Sequence, residues 1–569
     1  MLISDFTRRG FLLGVVAIVL PVGASQSSSC RCFPGDDCWP SISTWDAFNQ
    51  SVDGILMATV PMGTPCHAPN YTEDKCEAIK DEWLFPNAHY KTSSSIMAPF
   101  FGSCDPYYSS SEPCTIGNLV QYAVNVSKPE HVTETLKYVQ QHNIRFIVRN
   151  TGHDYLGKST GAGALAIWMH NLKDIEFKDW EDTHYTGKAV KLAAGVQGME
   201  AYEASHKEGL RVVGGECPSV GLAGGYSQGG GHSALSSRYG LGADQVLEWE
   251  VIDGTGRFLV ANREQNTDLY WALAGGGGGT YGIVWSMTSK VHPDGIVSGL
   301  NLTFSATDVS TDTFFKAVEL YNAYLPSIVD EGVMSLNFLT NTSFTVGPMT
   351  GPDIPLEKLE DLFQPIRDGL DKLGIKYKYQ SEEFNSSLAQ FKAQMPLVEV
   401  AIAQYGGWLI PRSLIQENNH GLTEAVQSVV SNGGVFTTVA VNVSKQVSGD
   451  VYNAVLPAWR EAIAHVVLST FWEWNDSKHV LEAQEKMTND FVPSLMKLAP
   501  DSGAYLNEAD FRQPDFKTAF YGKNYKALRE VKAKYDPYDT FYGLTAVGSD
   551  EWTVSPGGRM CPAVSHDEL

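Results

Sequence analysis

The sequence predicts an α+β protein built from more than one structural unit. Its 569 residues are too many for a single hydrophobic core. Helix-like and strand-like segments alternate from residue 129 to 293. From about residue 300 to 500, runs of strands are separated by helices, which is typical of an α+β unit with an antiparallel sheet. Hydrophobic residues make up 43% of the chain, so a disordered protein is excluded.

Both chain termini carry targeting signals. Arg8 and Arg9 precede the apolar run FLLGVVAIVL and a small-residue site, which predicts a signal peptide over residues 1–24, although TRRGFLLG also resembles a bacterial twin-arginine signal. The chain ends in HDEL at residues 566–569, an ER-retention address. Eight N-x-S/T sequons favour a eukaryotic protein that carries N-glycans: Asn49, Asn70, Asn125, Asn301, Asn341, Asn385, Asn442 and Asn475. We therefore expect a protein of the secretory pathway, either retained in the ER lumen or secreted.

The acidic balance of the chain restricts its partners. A net charge of −23 argues against nucleic acid and anionic membrane surfaces, because both would repel the protein. No stretch after the signal peptide reaches the ~20 apolar residues of a spanning helix, so no stable membrane insertion is expected. The charge says nothing about the reaction.

The cysteines predict disulfides in a Cys-rich N-terminal segment, residues 25–115. Seven of the nine cysteines lie there, at Cys30, Cys32, Cys38, Cys66, Cys76, Cys104 and Cys114. With Cys561 they could form four bridges in an oxidising compartment, one of which ties the C-terminal tail to this segment. The connectivity cannot be deduced from the sequence. Cys217 is left over, inside a glycine-rich loop.

The alternating region begins with a helix and a short strand, followed by a glycine-bounded turn that contains His153. The pattern then predicts a strand at 163–169, a strand at 189–196, a helix at 198–209, a strand at 210–215, the second glycine loop at 214–233, a hairpin at 246–262, a helix at 267–274, a glycine run and a closing strand. Asp-Gly-Thr-Gly at 253–256 is a strong turn signal for the hairpin. Near the C-terminus one helix is clear, at 521–535.

A lone His and a lone Cys in glycine loops would suit metal ligation, nucleophilic catalysis or covalent attachment of a cofactor. No C-x₂-C, H-x-H or HExxH spacing is present, so we predict no metal site. A Cys217 nucleophile stays open as a weaker alternative, because proline follows it and no helix N-terminus is obvious there to depress its pKa. Residues 277–282 match GxGxxG but follow a helix and enter a strand, the wrong context for a nicotinamide dinucleotide site.

The glycine clusters can surround an anion with backbone N–H groups, and Arg149 and Ser159 could add donors. Glycines in any single loop could merely form turns. Three clusters close together in sequence favour a large, flat cofactor that carries a pyrophosphate.

Four segments carry a specific resemblance: RNTGHDYLG, ECPSVGLAGGYSQGGGHSALSSRYGLGADQVLEWEVI, DLYWALAGGGGGTYGIV and KYDPYDTFYG. They resemble the berberine-bridge-enzyme-like, FAD-linked oxidases of the vanillyl-alcohol-oxidase/PCMH superfamily, in their fungal form. The resemblance implies a PCMH-type FAD-binding domain formed by both chain ends, with an inserted α+β substrate domain that carries an antiparallel sheet. The implied boundaries are 116–297 for the FAD domain, 298–500 for the substrate domain, 501–550 for the C-terminal part of the FAD domain, and 551–569 for the tail.

The resemblance also implies the cofactor contacts. In bicovalent members the matching His bonds the 8α-methyl carbon of FAD and the matching Cys bonds ring carbon C6; here these are His153 and Cys217. Val220 matches the position that controls oxygen access, where valine indicates an oxidase. The remaining expected cofactor-binding residues are Arg149, Asn150, Thr151, Gly152, Asp154, Ser159, Gly221, Gly224, Gly225, Ser227, Gly230, Gly231 and Ile283.

The catalytic base is the point of departure from the family pattern. Many members carry Y-x-N-Y-x-D, and this chain has Glu508 in place of the second tyrosine. A carboxylate near a buried flavin could have a raised pKa and act as general base, or it could be a structural acceptor. Tyr505 is the fallback base, although an unperturbed phenol is a poor one at neutral pH. Tyr405, Arg412 and Trp474 are interpreted as packing residues.

The resemblance implies oxidation of an alcohol, amine or activated C–H group of a small molecule from natural-product metabolism, with hydride transfer to flavin N5. Molecular oxygen would be the acceptor and would yield hydrogen peroxide. Two alternatives stay open: a secreted carbohydrate oxidase, and a flavin-carrying protein with little turnover.

Overall fold

The computed structural model describes residues 30–97, 104–472 and 476–563. The predicted signal peptide, the HDEL ending, Trp474 and the sequon at Asn475 lie outside these ranges. None of the helices within them combines the length and the apolar character needed to cross a bilayer.

The first sheet holds the His153 turn. Its strands are β1 (Leu56–Ala58), β2 (Tyr122–Asn125), β3 (Phe146–Arg149) and β4 (Leu165–Trp168), in the order β1-β2-β4-β3. Strands β2, β4 and β3 are parallel, and β1 is antiparallel to β2. The predicted crossover helix between β2 and β3 spans Pro129–Gln141 and buries one apolar face. The turn with His153 follows the carboxyl end of β3, the edge at which parallel sheets bind ligands.

The second sheet is antiparallel and has the order β5-β6-β10-β8-β9. Its members are β5 (Ile175–Glu181), β6 (Thr186–Ala193), β8 (Val246–Ile252), β9 (Phe258–Asn262) and β10 (Ile283–Lys290). The predicted hairpin is β8–β9, and Gly256 adopts φ +83° in its turn, which favours glycine. The predicted strand at 210–215 shortens to β7 (Leu210–Arg211), which pairs with β11 (His292–Pro293).

The third sheet has seven antiparallel strands in the order β15-β12-β14-β13-β17-β18-β16. They are β12 (Val297–Ser305), β13 (Met334–Leu339), β14 (Ser343–Pro352), β15 (Tyr377–Phe384), β16 (Ala403–Pro411), β17 (Val435–Ala440) and β18 (Ala462–Phe471). Three long helices pack with this sheet and with one another, at 311–330, 356–372 and 412–431. The predicted α+β fold with an antiparallel sheet is confirmed. A short hairpin, β19 (Trp552–Val554) and β20 (Met560–Pro562), follows near the C-terminus.

The α-helices of the described residues are Ile42–Ser51, Glu73–Trp83, Pro86–Tyr90, Pro129–Gln141, Gly198–Lys207, Ser227–Gly229, Ser236–Tyr239, Gly242–Gln245, Thr267–Leu273, Thr311–Asp330, Leu356–Lys372, Ser387–Gln394, Arg412–Ser431, Lys445–Ser448, Ser477–Lys486, Val492–Leu498 and Tyr525–Tyr535. The last of these was predicted to begin at Tyr521. Gly522, with φ +55°, separates it from the preceding turns. The helix therefore begins later than its apolar periodicity suggests.

Four disulfides link the eight cysteines, and Cys217 is free, as predicted. The pairs are Cys30–Cys561, Cys32–Cys38, Cys66–Cys76 and Cys104–Cys114. The first joins the tail to the N-terminal segment across 531 residues.

One predicted glycan site is contradicted by packing. Asn442 is 8% exposed, and its amide donates a hydrogen bond to Asp330 Oδ1 at 2.9 Å. A glycan needs that amide nitrogen and open space around it, so Asn442 is not an acceptor in the folded chain. Asn70, Asn341 and Asn385 are exposed.

Candidate active site

The main cavity lies among the first sheet, the 214–233 loop, the glycine run before β10 and the C-terminal segment, and has a volume of about 220 Å³. It brings together most of the predicted site residues: Asn150, Thr151, Gly152, His153, Asp154, Ser159, Cys217, Val220, Gly221, Gly224, Gly225, Tyr505 and Glu508. Five others do not line it: Arg149, Ser227, Gly230, Gly231 and Ile283. Gly231 contributes indirectly, because its N–H donates to the Tyr505 hydroxyl.

His153 and Cys217 meet in this cavity although 64 residues separate them. Gly152 adopts φ +86°, which turns the chain so that His153 faces the loop of Cys217. The Cys217 Sγ lies 3.9 Å from His153 Nε2, and Ser219 Oγ lies 2.7 Å from the same nitrogen. Burial, with the nearby His89 and Arg149, lowers the pKa of His153 to about 3. The imidazole is therefore neutral and keeps a nucleophilic nitrogen at neutral pH.

Burial acts on Cys217 in the opposite sense. It raises the pKa of the thiol, against the effect of the hydrogen bonds from Ser219. Cys217 therefore rests as a thiol, which disfavours the alternative of a Cys-dependent hydrolase, because such enzymes need a depressed thiol pKa. No stabilised thiolate is available for direct attack on a substrate.

Arg149 was predicted to add a donor for an anion, and its position does not support that role. Its side chain is 0% exposed and donates to the backbone carbonyls of His89 and Thr92, each at 3.1 Å. The guanidinium thus links the strand before the His153 turn to the segment that contains His89 and Thr92. The predicted donor Ser159 is also engaged, because its hydroxyl and N–H both bond to Asp154 Oδ2. Asp154 organises the turn by accepting these bonds.

The cavity wall fits a large cofactor with polar edges. A Cβ added at Gly225 would meet no protein atom within 4 Å, so this lining residue leaves its space to a ligand. Asn150 Oδ1 and Gln228 Oε1 are buried without a protein partner among the described residues, and both residues line the cavity. Buried polar atoms are rarely left unpaired, so acceptors facing a cavity indicate ligand donors. The residues present fit FAD.

Lys158 was missed by the sequence analysis. It lines the cavity six residues after Gly152, beside Gly543, and burial lowers its pKa to about 8 while Asp154 opposes the shift. At neutral pH it is a cation inside a largely enclosed site. The expected role for such a group is contact with the pyrophosphate of FAD. A lysine inside the His153 turn was the available signal.

Glu508 belongs to a quartet formed with Glu216, His232 and His465, in which the histidines are buried and the carboxylates partly buried. Glu216 Oε2 lies 3.0 Å from His232 Nδ1, and both Glu508 oxygens lie 3.1 Å from His232 Nε2. The His465 Nε2 lies 3.0 Å from Glu508 Oε2. Neither histidine nor Glu216 was predicted as a site residue, because their proximity depends on strand β18 and two distant loops.

Of the two roles left open for Glu508, the structure supports the hydrogen-bond acceptor and not the general base with a raised pKa. Burial alone would raise the pKa, but the charge and hydrogen bonds of His232 and the hydrogen bond of His465 hold it well below its usual range. Burial likewise opposes the protonation of His232, yet Glu508 and Glu216 raise its pKa well above the usual value. Glu508 is therefore ionised at neutral pH.

Tyr505, the fallback base, does not present a free phenol. Its hydroxyl oxygen accepts from Gly231 N–H at 3.1 Å and from Asn507 Nδ2 at 2.8 Å, and burial raises its pKa above the ordinary value. Tyr405 packs as interpreted, stacked at 4.0 Å on Tyr155, which lines the cavity. Arg412 lies elsewhere and pairs with Asp330 at 2.6 Å.

Within the described part of the chain, the quartet also contains a group of residues near the cavity that could hold a metal. Ligand atoms of His232, His465 and Glu508 lie within 4.8 Å of one another. Hydrogen bonds among the same atoms already account for these short distances.

The family comparison agrees with this site. A model described as an FAD binding domain matches residues 120–262, and one described as berberine and berberine like matches residues 504–547. The FAD-linked oxidoreductase patO of Penicillium expansum is 49% identical over 562 residues, which cover 97% of this chain and 98% of that protein.

Solved structures show the same fold. The VAO-type flavoprotein MtVAO615 from Myceliophthora thermophila C1 is 39% identical with a TM-score of 0.90, covering 94% of this chain and 100% of that one. The glucooligosaccharide oxidase from Acremonium strictum, whose FAD is 6-S-cysteinyl and 8α-N1-histidyl, is 19% identical with a TM-score of 0.62, covering 76% of this chain and 92% of that one. At that identity it supports the fold only. The chain belongs to the berberine-bridge-like, VAO-type family of fungal FAD-linked oxidoreductases, and it is an FAD-binding oxidoreductase.

Proposed function

We propose that this oxidoreductase is an oxidase whose FAD is bonded to both His153 and Cys217, and that it oxidises an alcohol, amine or activated C–H group of a small natural product with molecular oxygen as acceptor. The observation that carries the proposal is the convergence of the two side chains, 3.9 Å apart in the main cavity. Electron-poor flavin can add an imidazole nitrogen, which the neutral state of His153 favours. It can also add the thiolate of Cys217, which would first have to lose the proton that burial stabilises.

The bound flavin would supply the redox chemistry, accepting a hydride at N5 and passing electrons to oxygen. The protein's part is to hold and orient. Asn150, Gln228 and Lys158 would contact the cofactor from the cavity wall. Glu508 presents an ionised carboxylate at the cavity, where it would accept a hydrogen bond from the substrate. Val220 borders the same cavity, where it would leave room for oxygen.

Natural-product chemistry is favoured over sugars because Glu508 stands where the sugar-oxidising pattern expects tyrosine. The printed name of one relative supports this class: it is the bifunctional decalin synthase calF of Penicillium decumbens. We further propose passage through the secretory pathway with N-glycans. The four disulfides and the exposed sequons support an oxidising compartment.

The test of attachment is acid denaturation of the purified holoprotein. The yellow chromophore should precipitate with the polypeptide in the parent, in His153→Ala and in Cys217→Ala, and should be released only when both are replaced. A matched control, His142→Ala, changes a half-buried histidine that does not line the main cavity, and it should retain all flavin. Release of all flavin from the parent would refute both bonds.

The test of reaction class is peroxide release with a panel of hydrophobic alcohols, amines and oligosaccharides. Peroxide with the alcohols or amines supports the proposal. Peroxide with oligosaccharides alone would select the carbohydrate oxidase instead. If no compound bleaches the flavin, the chain is a flavin carrier with little turnover.

A further inference from the structure

One hydroxyl group lies between the two residues proposed to bond the flavin. Ser219 Oγ is 2.7 Å from His153 Nε2 and 3.5 Å from Cys217 Sγ. The direct distance between that nitrogen and that sulfur is 3.9 Å, so the serine oxygen is the nearer partner of both. The hydroxyl of Ser219 is therefore placed to act on both residues at once.

The backbone of the loop holds Ser219 in place without help from its hydroxyl. Gln197 Nε2 donates to the backbone carbonyl of Ser219 at 2.6 Å. The first two residues of the 198–207 helix donate to the carbonyls of Val220 and Pro218, at 2.9 and 2.8 Å. Removal of the hydroxyl therefore leaves the hydrogen bonds that position this loop intact.

Ser219 itself does not line the main cavity, whereas His153 and Cys217 both do. It can therefore influence a cofactor in that cavity only through its two neighbours. A hydroxyl has one hydrogen to donate and lone pairs with which to accept. It can accept from one neighbour while it donates to the other.

The contact with His153 bears on which ring nitrogen is free. The imidazole is neutral, so one nitrogen carries hydrogen and the other carries a lone pair. Nε2 is occupied by the contact with Ser219, and Nδ1 has no hydrogen-bond partner among the described residues. A bond to the flavin therefore falls to Nδ1, which must then hold the lone pair. The hydrogen is accordingly on Nε2, and it is donated to Ser219 Oγ.

The contact with Cys217 bears on the state of the sulfur. Because the oxygen of Ser219 accepts from His153, its own hydrogen is left for the sulfur at 3.5 Å. A hydrogen bond is stronger when its acceptor is ionised, so this donor favours the thiolate over the thiol. The hydrogen bonds from Ser219 indeed lower the pKa of Cys217, against the larger effect of burial.

We propose that Ser219 is the positioning residue of flavin attachment: it accepts from His153 Nε2–H, which leaves Nδ1 free to bond, and it donates to Cys217 Sγ, which stabilises the thiolate. The inference deepens the proposed function and rests on it for the two covalent bonds. In each bond the side chain loses its N–H or S–H hydrogen and the flavin loses one C–H hydrogen. Both hydrogens and two electrons pass to molecular oxygen, which becomes hydrogen peroxide.

The first experiment measures each bond separately. Full-length apoprotein prepared under riboflavin limitation is mixed with FAD, and attachment is followed by intact-mass spectrometry after denaturation. The His153→Ala background reports the bond to Cys217, and there Ser219→Ala should slow attachment about 10- to 100-fold, because a hydrogen bond to a charged sulfur is lost. The Cys217→Ala background reports the bond to His153. There the loss of a neutral hydrogen bond should slow attachment about 2- to 10-fold.

Two variants separate the hydroxyl from the loop that carries it. Ser219→Thr keeps the hydroxyl and should restore both rates towards those of the parent. Ser236→Ala is the matched control: Ser236 is buried outside the main cavity, and its hydroxyl has no hydrogen-bond partner among the described residues. This variant should attach FAD at the rates of the parent.

Two measurements on the apoprotein need no flavin. Cys217 is the free cysteine, and its alkylation by iodoacetamide should be about 10- to 100-fold slower in Ser219→Ala than in the parent. With ¹⁵N-labelled histidine, nuclear magnetic resonance should show His153 of the parent as the Nε2–H tautomer, a preference that Ser219→Ala should lose. Circular dichroism checks that each variant is folded.

Equal alkylation rates in Ser219→Ala and the parent, or an Nδ1–H tautomer of His153 in the parent, would overturn the proposal. So would equal attachment rates with and without the hydroxyl in both backgrounds. If Ser219→Ala does not fold, the tautomer in the parent alone decides. Absence of covalent flavin from the parent would refute the proposed function, whereas alkylation and the tautomer would still decide this inference.

Discussion

We expect the rate at which flavin bonds to His153 to be nearly independent of pH down to about pH 5. Cys217→Ser leaves His153 as the single attachment residue, and apoprotein of this variant can be prepared under riboflavin limitation and mixed with FAD. The reactive form is the neutral imidazole. Burial together with His89 and Arg149 lowers the pKa of His153 to about 3, so that form persists in mildly acidic solution.

The size of the effect follows from the two pKa values. At pH 5 an ordinary histidine with a pKa of about 6.5 is only ~3% neutral, whereas a group with a pKa of about 3 is ~99% neutral. At pH 5 the attachment rate should therefore be close to its maximum at high pH. For an exposed histidine the rate at pH 5 would be about 30-fold below its own maximum. Between pH 5 and 8 the rate constant should be nearly constant.

The assay is in-gel flavin fluorescence after denaturation, sampled over time at each pH with saturating FAD. Circular dichroism at each pH serves as the control for loss of fold. A rate that falls tenfold per pH unit below about 6.5 would refute the interpretation that this imidazole is shielded from protonation. Attachment that is absent at every pH would refute His153 as the bonding residue.

Three further predictions concern the cofactor, the fold and oxygen. In a variant that lacks both attachment residues, Lys158→Met should lower the affinity for FAD about 10- to 100-fold, because a charge-assisted hydrogen bond is lost. The affinity for riboflavin, which has no pyrophosphate, should stay unchanged. Equal losses of affinity for both ligands in a fluorescence titration would contradict a pyrophosphate contact. Arg460→Leu leaves the fully buried Asp244, 2.7 Å away, without its ion-pair partner and should lower the free energy of unfolding in urea by about 3–5 kcal/mol. Arg412→Leu breaks a half-exposed ion pair and should lower it by less than about 1 kcal/mol. Similar losses in the two variants would contradict the argument that burial makes the difference. Val220→Leu should slow reoxidation of the reduced flavin by oxygen in stopped-flow mixing and leave reduction by substrate unchanged, and an unaltered reoxidation rate would remove Val220 from oxygen access.

The fold was predictable from local pattern where the pattern repeats. The crossover helix before β3, the β8–β9 hairpin and the antiparallel sheet of the 300–500 region all follow from apolar periodicity and turn residues. Strand β5 was missed because it is an edge strand with charged, exposed side chains, so its alternation is weak. Pairing of the cysteines could be expected, but their partners depend on tertiary contacts.

The site was predictable in its residues and less so in its electrostatics. His153 and Cys217 sit in motifs whose spacing is visible in the sequence. The pKa of Glu508 depends on His232 and His465, which reach it from 276 and 43 residues away. The anion-binding role predicted for Arg149 failed for the same reason, because the carbonyls that accept from its guanidinium lie in a segment about 60 residues earlier. The protonation state of each site residue depends on neighbours that are distant in sequence, and the local sequence does not identify those neighbours.

The walls of the main cavity come from residues as far apart in the chain as Phe146 and Gly543. On the ribosome, a nascent chain therefore has no closed pocket until nearly all of it has been synthesised. FAD binding is therefore expected to be a late step of biogenesis, after the C-terminal segment has docked. Chains that end before this segment are accordingly expected to bind no flavin and to be colourless.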